Sequence, residues 1–292
     1  MKMLVFGSMN IDHVYRMPHL VRAGETLASS VYQRNPGGKG LNQAIALARA
    51  GMDVRFAGAI GGDGLFLRDY LASFGVDTSL VRVLEEPTGH AIIQLDENGQ
   101  NAIVLYGGAN QQMTEDSIRA TLADFGAGDC ILLQNEINLL EEIIRQAKAK
   151  GMQVILNPSP MSGALPPLLP LVDWLILNEV EGEDVTGCRE PDAMLDALLS
   201  RCPDCRVVLT LGVQGAMYAD RTRRCFQPAF PVQAVDTTAA GDTFTGYFFQ
   251  GVLGDSTVEE ALRAAARASA IAVTRPGAGG SIPAMAEVAA LL

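Results

Sequence analysis

The sequence has no apolar run approaching the roughly 18–20 residues that a membrane-crossing helix needs, so no spanning segment is expected. Its opening "MKMLVF" meets Gly7 and polar residues too soon for a secretory core, and reads as a first β-strand. Basic charge is scarce. Lys and Arg total 22 against 33 Asp and Glu, and the net charge of −11 disfavours nucleic acid or an anionic membrane surface as a partner. An anionic substrate would need a local arrangement of amides, metal and a few cations. Histidine is confined to His13, His19 and His90. Five cysteines, an odd number without a leader, do not predict a disulfide framework. "CPDC", Cys202 to Cys205, has metal or redox spacing. No second CxxC or histidine pair accompanies it, so ordinary reduced thiols are the plainer reading. Internal repeats, low-complexity tracts and long linkers are absent as well. The expected compartment is the cytoplasm.

What is present is an alternation. The chain has 292 residues, 48% of them hydrophobic, enough for one large α/β domain or two modest ones. Strand-like apolar runs occur at 3–7, 53–60, 130–134, 152–157, 173–178 and 205–212. Several are almost continuously apolar, as strands of a parallel sheet covered on both faces should be. Helix patterns lie between them near 39–50, 64–74, 114–123, 138–150, 179–186 and 190–200. Two more, 242–253 and 256–274, make the C-terminal third helical, with a capping box in "STVEE". The order predicts a doubly wound, mainly parallel sheet flanked by helices. Two segments break it. Residues 11–36 are extended and turn-rich, and 87–108 read as a hairpin around Asp-Glu-Asn-Gly. The expectation is one domain over 1–292, with a small β-sheet lid contributed by about 11–36 and 87–108. The competing reading makes the hairpin an edge extension of the main sheet.

Five stretches carry chemistry, each with a plainer alternative. In "GSMNIDH", 7–13, Asn10 and Asp12 stand two apart after the first strand, so an extended backbone points them to one side. Their mix of donors and acceptors suits adjacent sugar hydroxyls, although a solvated turn has the same look. "GGKGLNQA", 37–44, opens a helix with glycines that let backbone approach a ligand, and Lys39 and Asn42 share a face of its first turn. It is not a Walker A loop, and a plain glycine turn is the alternative. "LNEVEGED", 177–184, places Asn178 and Glu181 at a strand-to-helix junction, suited to hydrated magnesium on phosphate or to helix capping. In "VDTTAAGDTF", 235–244, the small residues Ala239, Ala240 and Gly241 leave amides uncovered where a helix begins near Asp242. A carboxylate beside phosphate is repulsive. Either Asp242 caps the helix, or it is a general base for a hydroxyl attacking phosphorus. "VTRPGAGGSIP", 273–283, could bind a monovalent cation through its carbonyls, or be an ordinary turn.

Together, and in this order, these motifs resemble the ribokinase family of carbohydrate kinases, also called PfkB. "GGKGLNQA" resembles its N-terminal signature and "VDTTAAGDTFTGYF" its C-terminal one, D-T-x-x-A-G-D; the likeness runs through almost the whole chain and is greatest to the ribokinase branch. It implies an α/β fold with a lid often used to form homodimers. It implies transfer of the ATP γ-phosphate to a primary hydroxyl, D-ribose giving ribose 5-phosphate being the first choice. Asp242 matches the catalytic base and Ala239, Ala240, Gly241 and Asp242 the anion hole. Asn10, Asp12, Gly38, Lys39, Asn42 and Glu136 match sugar-contacting positions. Asn178, Thr210, Gly212, Gly215, Gly241 and Ala266 match the nucleotide site. Glu181 matches a magnesium-water position, and Asp236, Thr238, Ala272, Arg275, Gly277 and Ser281 match the potassium-site loops. The implied ligands are a small sugar, ATP, Mg2+ and K+, with neither nucleic acid nor membrane. Asn135, Ala266 and Asn35-Pro36 depart from the family's usual residues. They bear on the sugar and the nucleotide, so deoxyribose, fructose, a nucleoside or a keto-sugar acid stays an alternative acceptor. A non-catalytic sensor on the same fold would have no use for Asp242.

Overall fold

In the first strand, β1 (Met3–Phe6), successive side chains enter opposite apolar layers: Met3 and Val5 join one core, Leu4 and Phe6 the other. This two-sided burial is why the strand tolerates no polar residue. The computed structural model describes residues 1–161 and 166–291. The next strands are β2 (Asn10–Arg16) and β3 (Val31–Gly37), followed by helix α1 (Lys39–Arg49). β4 (Val54–Gly61), α2 (Leu65–Ala72), β5 (Asp77–Leu84), β6 (Gly89–Leu95) and β7 (Asn101–Tyr106) complete the N-terminal part. Then come α3 (Glu115–Thr121), β8 (Cys130–Gln134), α4 (Leu140–Ala149), β9 (Gln153–Asn157), β10 (Trp174–Asn178) and α5 (Glu179–Thr186). α6 (Pro191–Arg201), β11 (Arg206–Thr210), β12 (Gly215–Ala219), β13 (Arg224–Pro228), α7 (Ala240–Leu253), α8 (Val258–Ala272) and α9 (Met285–Ala289) finish the chain.

The main sheet has nine strands in the order β13-β12-β11-β10-β9-β8-β1-β4-β5. From β5 to β11 the strands are parallel, while β12 and β13 turn back as an antiparallel edge. Helices α1, α2, α7, α8 and α9 cover one face, and α3 to α6 the other. The expected doubly wound, mainly parallel sheet is therefore the observed one. β5, β12 and β13 go beyond the expectation; β5 and β13 are the two edge strands, where partial burial leaves no continuous apolar run, and β12, between β13 and β11, is a short strand of five residues that opens on Gly215.

A second sheet of four strands, ordered β3-β2-β6-β7, rises from the strand ends of the first. β6 and β7 form the antiparallel hairpin, closed at Asp96, which accepts the Gly99 N–H at 3.1 Å and whose carboxylate accepts the Asn98 and Gln100 N–H groups, each at 2.8 Å. The hairpin pairs with β2, not with an edge of the main sheet. Among the described residues no helix is long and apolar enough to cross a membrane.

Candidate active site

Where β1 ends, residues 7–9 pass against the start of α1, and three glycines make the approach possible. A Cβ on Gly40 would lie 2.5 Å from the Ser8 nitrogen; one on Gly38, whose φ is +98°, would lie 2.9 Å from the Asn10 nitrogen; and one on Gly7 would strike Gln134. The Leu41 N–H donates to the Ser8 carbonyl at 3.0 Å and closes the seam. Ser8 Oγ donates to the Glu136 carboxylate, which also accepts the Lys39 N–H at 3.1 Å. Burial pushes the Glu136 carboxyl up, against the opposing pull of Ser8, the Lys39 N–H and the Lys39 charge.

The small sheet supplies the opposite wall. Asn10 is buried, and its Oδ1 accepts from Asn110 Nδ2 at 2.8 Å. Asp12 packs over Gly37, where any side chain would collide with its carboxylate. Burial, with the charge of Glu136 added, pushes Asp12 up to about 7. Asn42, on the first turn of α1, donates from Nδ2 to Asp242 Oδ2 at 3.3 Å. Its own Oδ1 is buried without a hydrogen-bond partner, an acceptor matched to an incoming hydroxyl.

Asp242 is not the N-cap of α7. The cap is Ala239, with φ 59° and ψ 14°, and Asp242 is the third residue of the helix. Left-handed alanine costs on the order of 1–2 kcal/mol, so this turn is held by its surroundings. Thr243 is the first helical residue whose N–H reaches the cap carbonyl, 2.8 Å from Ala239 O, and the Ala240 N–H turns back to Thr237 O at 3.2 Å. The Gly241 and Asp242 amides are left without a backbone acceptor at the positive end of the helix. Of the four amides expected to form an anion hole, those of Ala239, Ala240, Gly241 and Asp242, that of Ala240 is thus already engaged. Burial pushes the half-buried Asp242 carboxyl up, and Lys39 with the Gln43 and Asn42 amides opposes this.

Three amides not foreseen from sequence complete this end of the site. Gln43 Nε2 donates to Asp242 Oδ1 at 2.9 Å and to Asn157 Oδ1 at 3.0 Å, while its Oε1 accepts from Gln134 Nε2 at 2.6 Å. The available signal was an amide closing each of two apolar strands, "CILLQ" and "QVILN". Ser8 and Asn110 were also missed.

A cavity of about 820 Å3 opens beside Asp242 and runs over the ends of β10 and β11. Lys39, Asn178, Glu181, Thr210, Gly212, Gly215, Gly241 and Ala266 line it, as do Ala239 and Ala240. Asn10, Asp12, Asn42 and Glu136 lie outside that lining, at the end toward the small sheet. Asn178 and Glu181 cap α5 reciprocally: Asn178 Oδ1 accepts the Glu181 N–H at 2.9 Å, and Glu181 Oε2 accepts the Asn178 N–H at 3.0 Å. The capping alternative is therefore realised, with Glu181 still on the cavity wall. Gly215, at φ +129°, has a structural reason of its own, since a Cβ would collide with Gln227 across the β12–β13 pair.

The stretches before α7 and after α8 meet. Asp236 Oδ1 accepts the Thr238 N–H at 2.9 Å and hydroxyl at 2.6 Å, and Oδ2 accepts the Gly277 N–H at 2.9 Å. The Val273 carbonyl accepts the N–H groups of Val235 and Asp236. Ala272 accepts the Arg275 N–H, the Arg275 guanidinium pairs with Glu287 on α9, and Ser281 Oγ donates to Ala278 O at 2.7 Å. Elsewhere, "CPDC" is the turn from α6 to β11, with Cys202 and Cys205 buried and Pro203 and Asp204 exposed, and among the described residues no group of three His, Cys, Asp or Glu could hold a metal ion. Asn135 donates to Pro160 O at 2.6 Å, and Asn35-Pro36 lies in β3.

Four likenesses to known proteins bear on this geometry. The profile described as pfkB family carbohydrate kinase matches residues 1–285. A ribokinase of Haemophilus influenzae is 39% identical over 292 residues, covering 97% of this chain and 95% of its own. Among solved structures, Arabidopsis thaliana ribokinase complexed with ribose and ATP aligns with a TM-score of 0.89 at 33% identity, over 99% of this chain and 98% of that one. A Cryptococcus neoformans ribokinase in complex with ADP aligns with a TM-score of 0.86 at 33% identity, over 100% and 99%.

Proposed function

Because the chain belongs to the pfkB family of carbohydrate kinases, we propose that it transfers the γ-phosphoryl group of ATP to the primary hydroxyl of D-ribose, giving ribose 5-phosphate. It is a phosphotransferase with an alcohol acceptor. The observation that carries this reading is Asp242, set between two side-chain amide donors and two backbone amides without acceptors, beside a cavity large enough for a nucleotide.

ATP lies along the cavity, against Asn178, Thr210, Gly212, Gly215, Gly241 and Ala266. The sugar lies between α1 and the small sheet, held by Asn10, Asp12, Gly38, Lys39, Asn42 and Glu136. Asp242 takes the proton of the attacking hydroxyl, and its raised pKa brings the carboxylate nearer to that task at neutral pH. In the Ala239 to Asp242 turn, the amides of Gly241 and Asp242 face the charge that develops on the transferring group. The small sheet acts as a lid on a single domain and excludes water.

Magnesium suits the residues present, because one buried carboxylate beside an amide matches an ion held mainly by substrate phosphates and water. Glu181 would hold it through water, and its contribution would be to neutralise phosphate charge. The Asp236, Thr238, Ala272, Arg275, Gly277 and Ser281 segment offers carbonyls, hydroxyls and one carboxylate, a set suited to a potassium ion. It would order the anion-hole loop without touching substrate. Homodimerisation through the small sheet is supported by exposed Ile103, Leu105 and Tyr106 on β7. The compartment proposed for the enzyme is the cytoplasm.

The test is ADP release with ribose, 2-deoxyribose, fructose, a nucleoside and a keto-sugar acid. Ribose is expected to give the highest kcat/KM. Asp242→Asn is expected to lower kcat by roughly 10²–10⁴-fold while ATP and ribose still bind; near-parent turnover would remove Asp242 as the base.

A further inference from the structure

The amides around Asp242 form a chain whose direction is set by chemistry at both ends. A backbone carbonyl and a carboxylate can only accept. Asn157 Nδ2 donates to the Ile176 carbonyl at 2.9 Å, so Asn157 must turn Oδ1 toward Gln43. Gln43 meets two acceptors, Asn157 Oδ1 and Asp242 Oδ1, and gives each one of its two Nε2 hydrogens. Its Oε1 therefore points the other way, where Gln134 Nε2 donates to it. Gln43 and Gln134 are completely buried, and Gln134 Oε1 is the one amide atom of these three side chains without a hydrogen-bond partner among the described residues.

From this we infer that Gln43 is a positioning residue that decides which oxygen of Asp242 accepts the substrate proton: Oδ1 is committed to Gln43, and Oδ2 is the base. A proton on Oδ1 would share that oxygen with the Gln43 hydrogen and weaken it as an acceptor, and Gln43 cannot flip to relieve this without setting Oε1 against Asn157 Oδ1 and Nε2 against the Gln134 amide hydrogens. Oδ2 carries only the longer Asn42 contact of 3.3 Å. The inference rests on the reading of Asp242 as the base.

Other charges bear on the same carboxylate. Lys39 on α1 favours its ionised form, and Glu181 on α5 disfavours it. Glu136 after β8 feels Asp242 in turn, and Asp12 on β2 feels Glu136. These groups are common to parent and variants, and bound sugar engages Asp12, so the comparison is made at saturating ribose.

The experiment measures the single-turnover rate of phosphoryl transfer against pH for the parent, Gln43→Glu, Gln134→Met and Asp242→Asn. Gln43→Glu keeps the shape but can offer at most one hydrogen to two acceptors. Its rate should fall about ten-fold or more and its acid limb move up by about one pH unit, since the carboxylate loses a donor and gains an acidic neighbour. The ribose KM should stay within about three-fold of the parent's. Gln134→Met, which frees Gln43 to rotate, should shift the limb the same way by less. ATP affinity, which these positions do not touch, reports folding, and Gln134→Met carries the test if Gln43→Glu does not fold. An acid limb that stays put in both variants overturns the inference, whether or not the rate falls. If Asp242→Asn keeps near-parent turnover, the proposed function falls instead; if it is inactive while the Gln43→Glu profile matches the parent's, only the role of Gln43 is lost.

Discussion

Helix α7 crosses helix α1 with Gly246 seated against Ala46: a Cβ on Gly246 would lie 2.6 Å from the Ala46 carbonyl carbon and 2.7 Å from the Leu47 nitrogen. One turn earlier on each helix stand Asp242 and the pair Asn42 and Gln43, which bond across the same crossing. The close contact thus sets the distance between the base and its donors. Gly246→Ala is a sharp test, because helix propensity alone would favour alanine by about 1 kcal/mol. The backbone clash should win, with a net loss of about 1–3 kcal/mol in urea unfolding. kcat should fall with it, as Asp242 is pushed off Gln43. A variant as stable as the parent would show that the crossing can relax.

Asp12 makes the free protein's stability depend on pH. Its ordinary value is 3.8, and burial with the charge of Glu136 moves it to about 7 in the folded chain. Between those values the folded chain keeps a proton that the unfolded chain has released. Stability is then greatest below about pH 4 with respect to this group, and falls as pH rises through the window. Glu136 is shifted the same way and adds to the trend. Asp12→Asn cannot titrate, so without sugar it should gain on the parent between pH 5 and pH 7.5. Urea midpoints of both proteins at the two pH values measure this; a constant difference would mean that Asp12 ionises normally.

The parallel strands were legible because burial on both faces writes them as unbroken apolar runs, as in β8 and β10. β13 was not, since an edge strand buries little, and β12 was not, since its five residues begin with Gly215 and are too short to show a pattern. The two segments of the small sheet were legible as extended, turn-rich breaks in the α/β alternation that join in one small sheet, but the parallel register of β2 with β6 is a long-range detail that no local pattern encodes. The start of α7 was read two residues late, because an aspartate near a helix start usually caps it; here Ala239 takes the left-handed cap. Asn178 and Glu181 were legible with both meanings, since cap and cavity wall use the same side chains. Gln43, Gln134 and Asn157 were hidden for a different reason. An amide in a strand or helix is informative only once the fold brings its partner within 3 Å.

The loop tie at Asp236 yields a prediction about cations. Burial alone would raise the Asp236 carboxyl, but the Thr238 hydroxyl, with the Gly277 and Thr238 N–H groups, outweighs it and holds the carboxyl below its usual range. The tie therefore stays ionised at the pH of assay, and it joins residues 41 positions apart. Only two residues separate Asp236 from the strained turn at Ala239 that exposes the Gly241 and Asp242 amides. A cation bound by the neighbouring carbonyls would act on catalysis through that turn. At fixed ionic strength, the parent should turn over faster in potassium than in sodium salts. Asp236→Ala loses three hydrogen bonds to one carboxylate, each worth about 1.5–3 kcal/mol when intact, and should lose both rate and cation preference. Ribose KM should change little, because no residue of this loop lies at the sugar end. Equal parent rates in the two salts would show that the loop is held by Asp236 alone, and Asp236→Ala should then be slow in both.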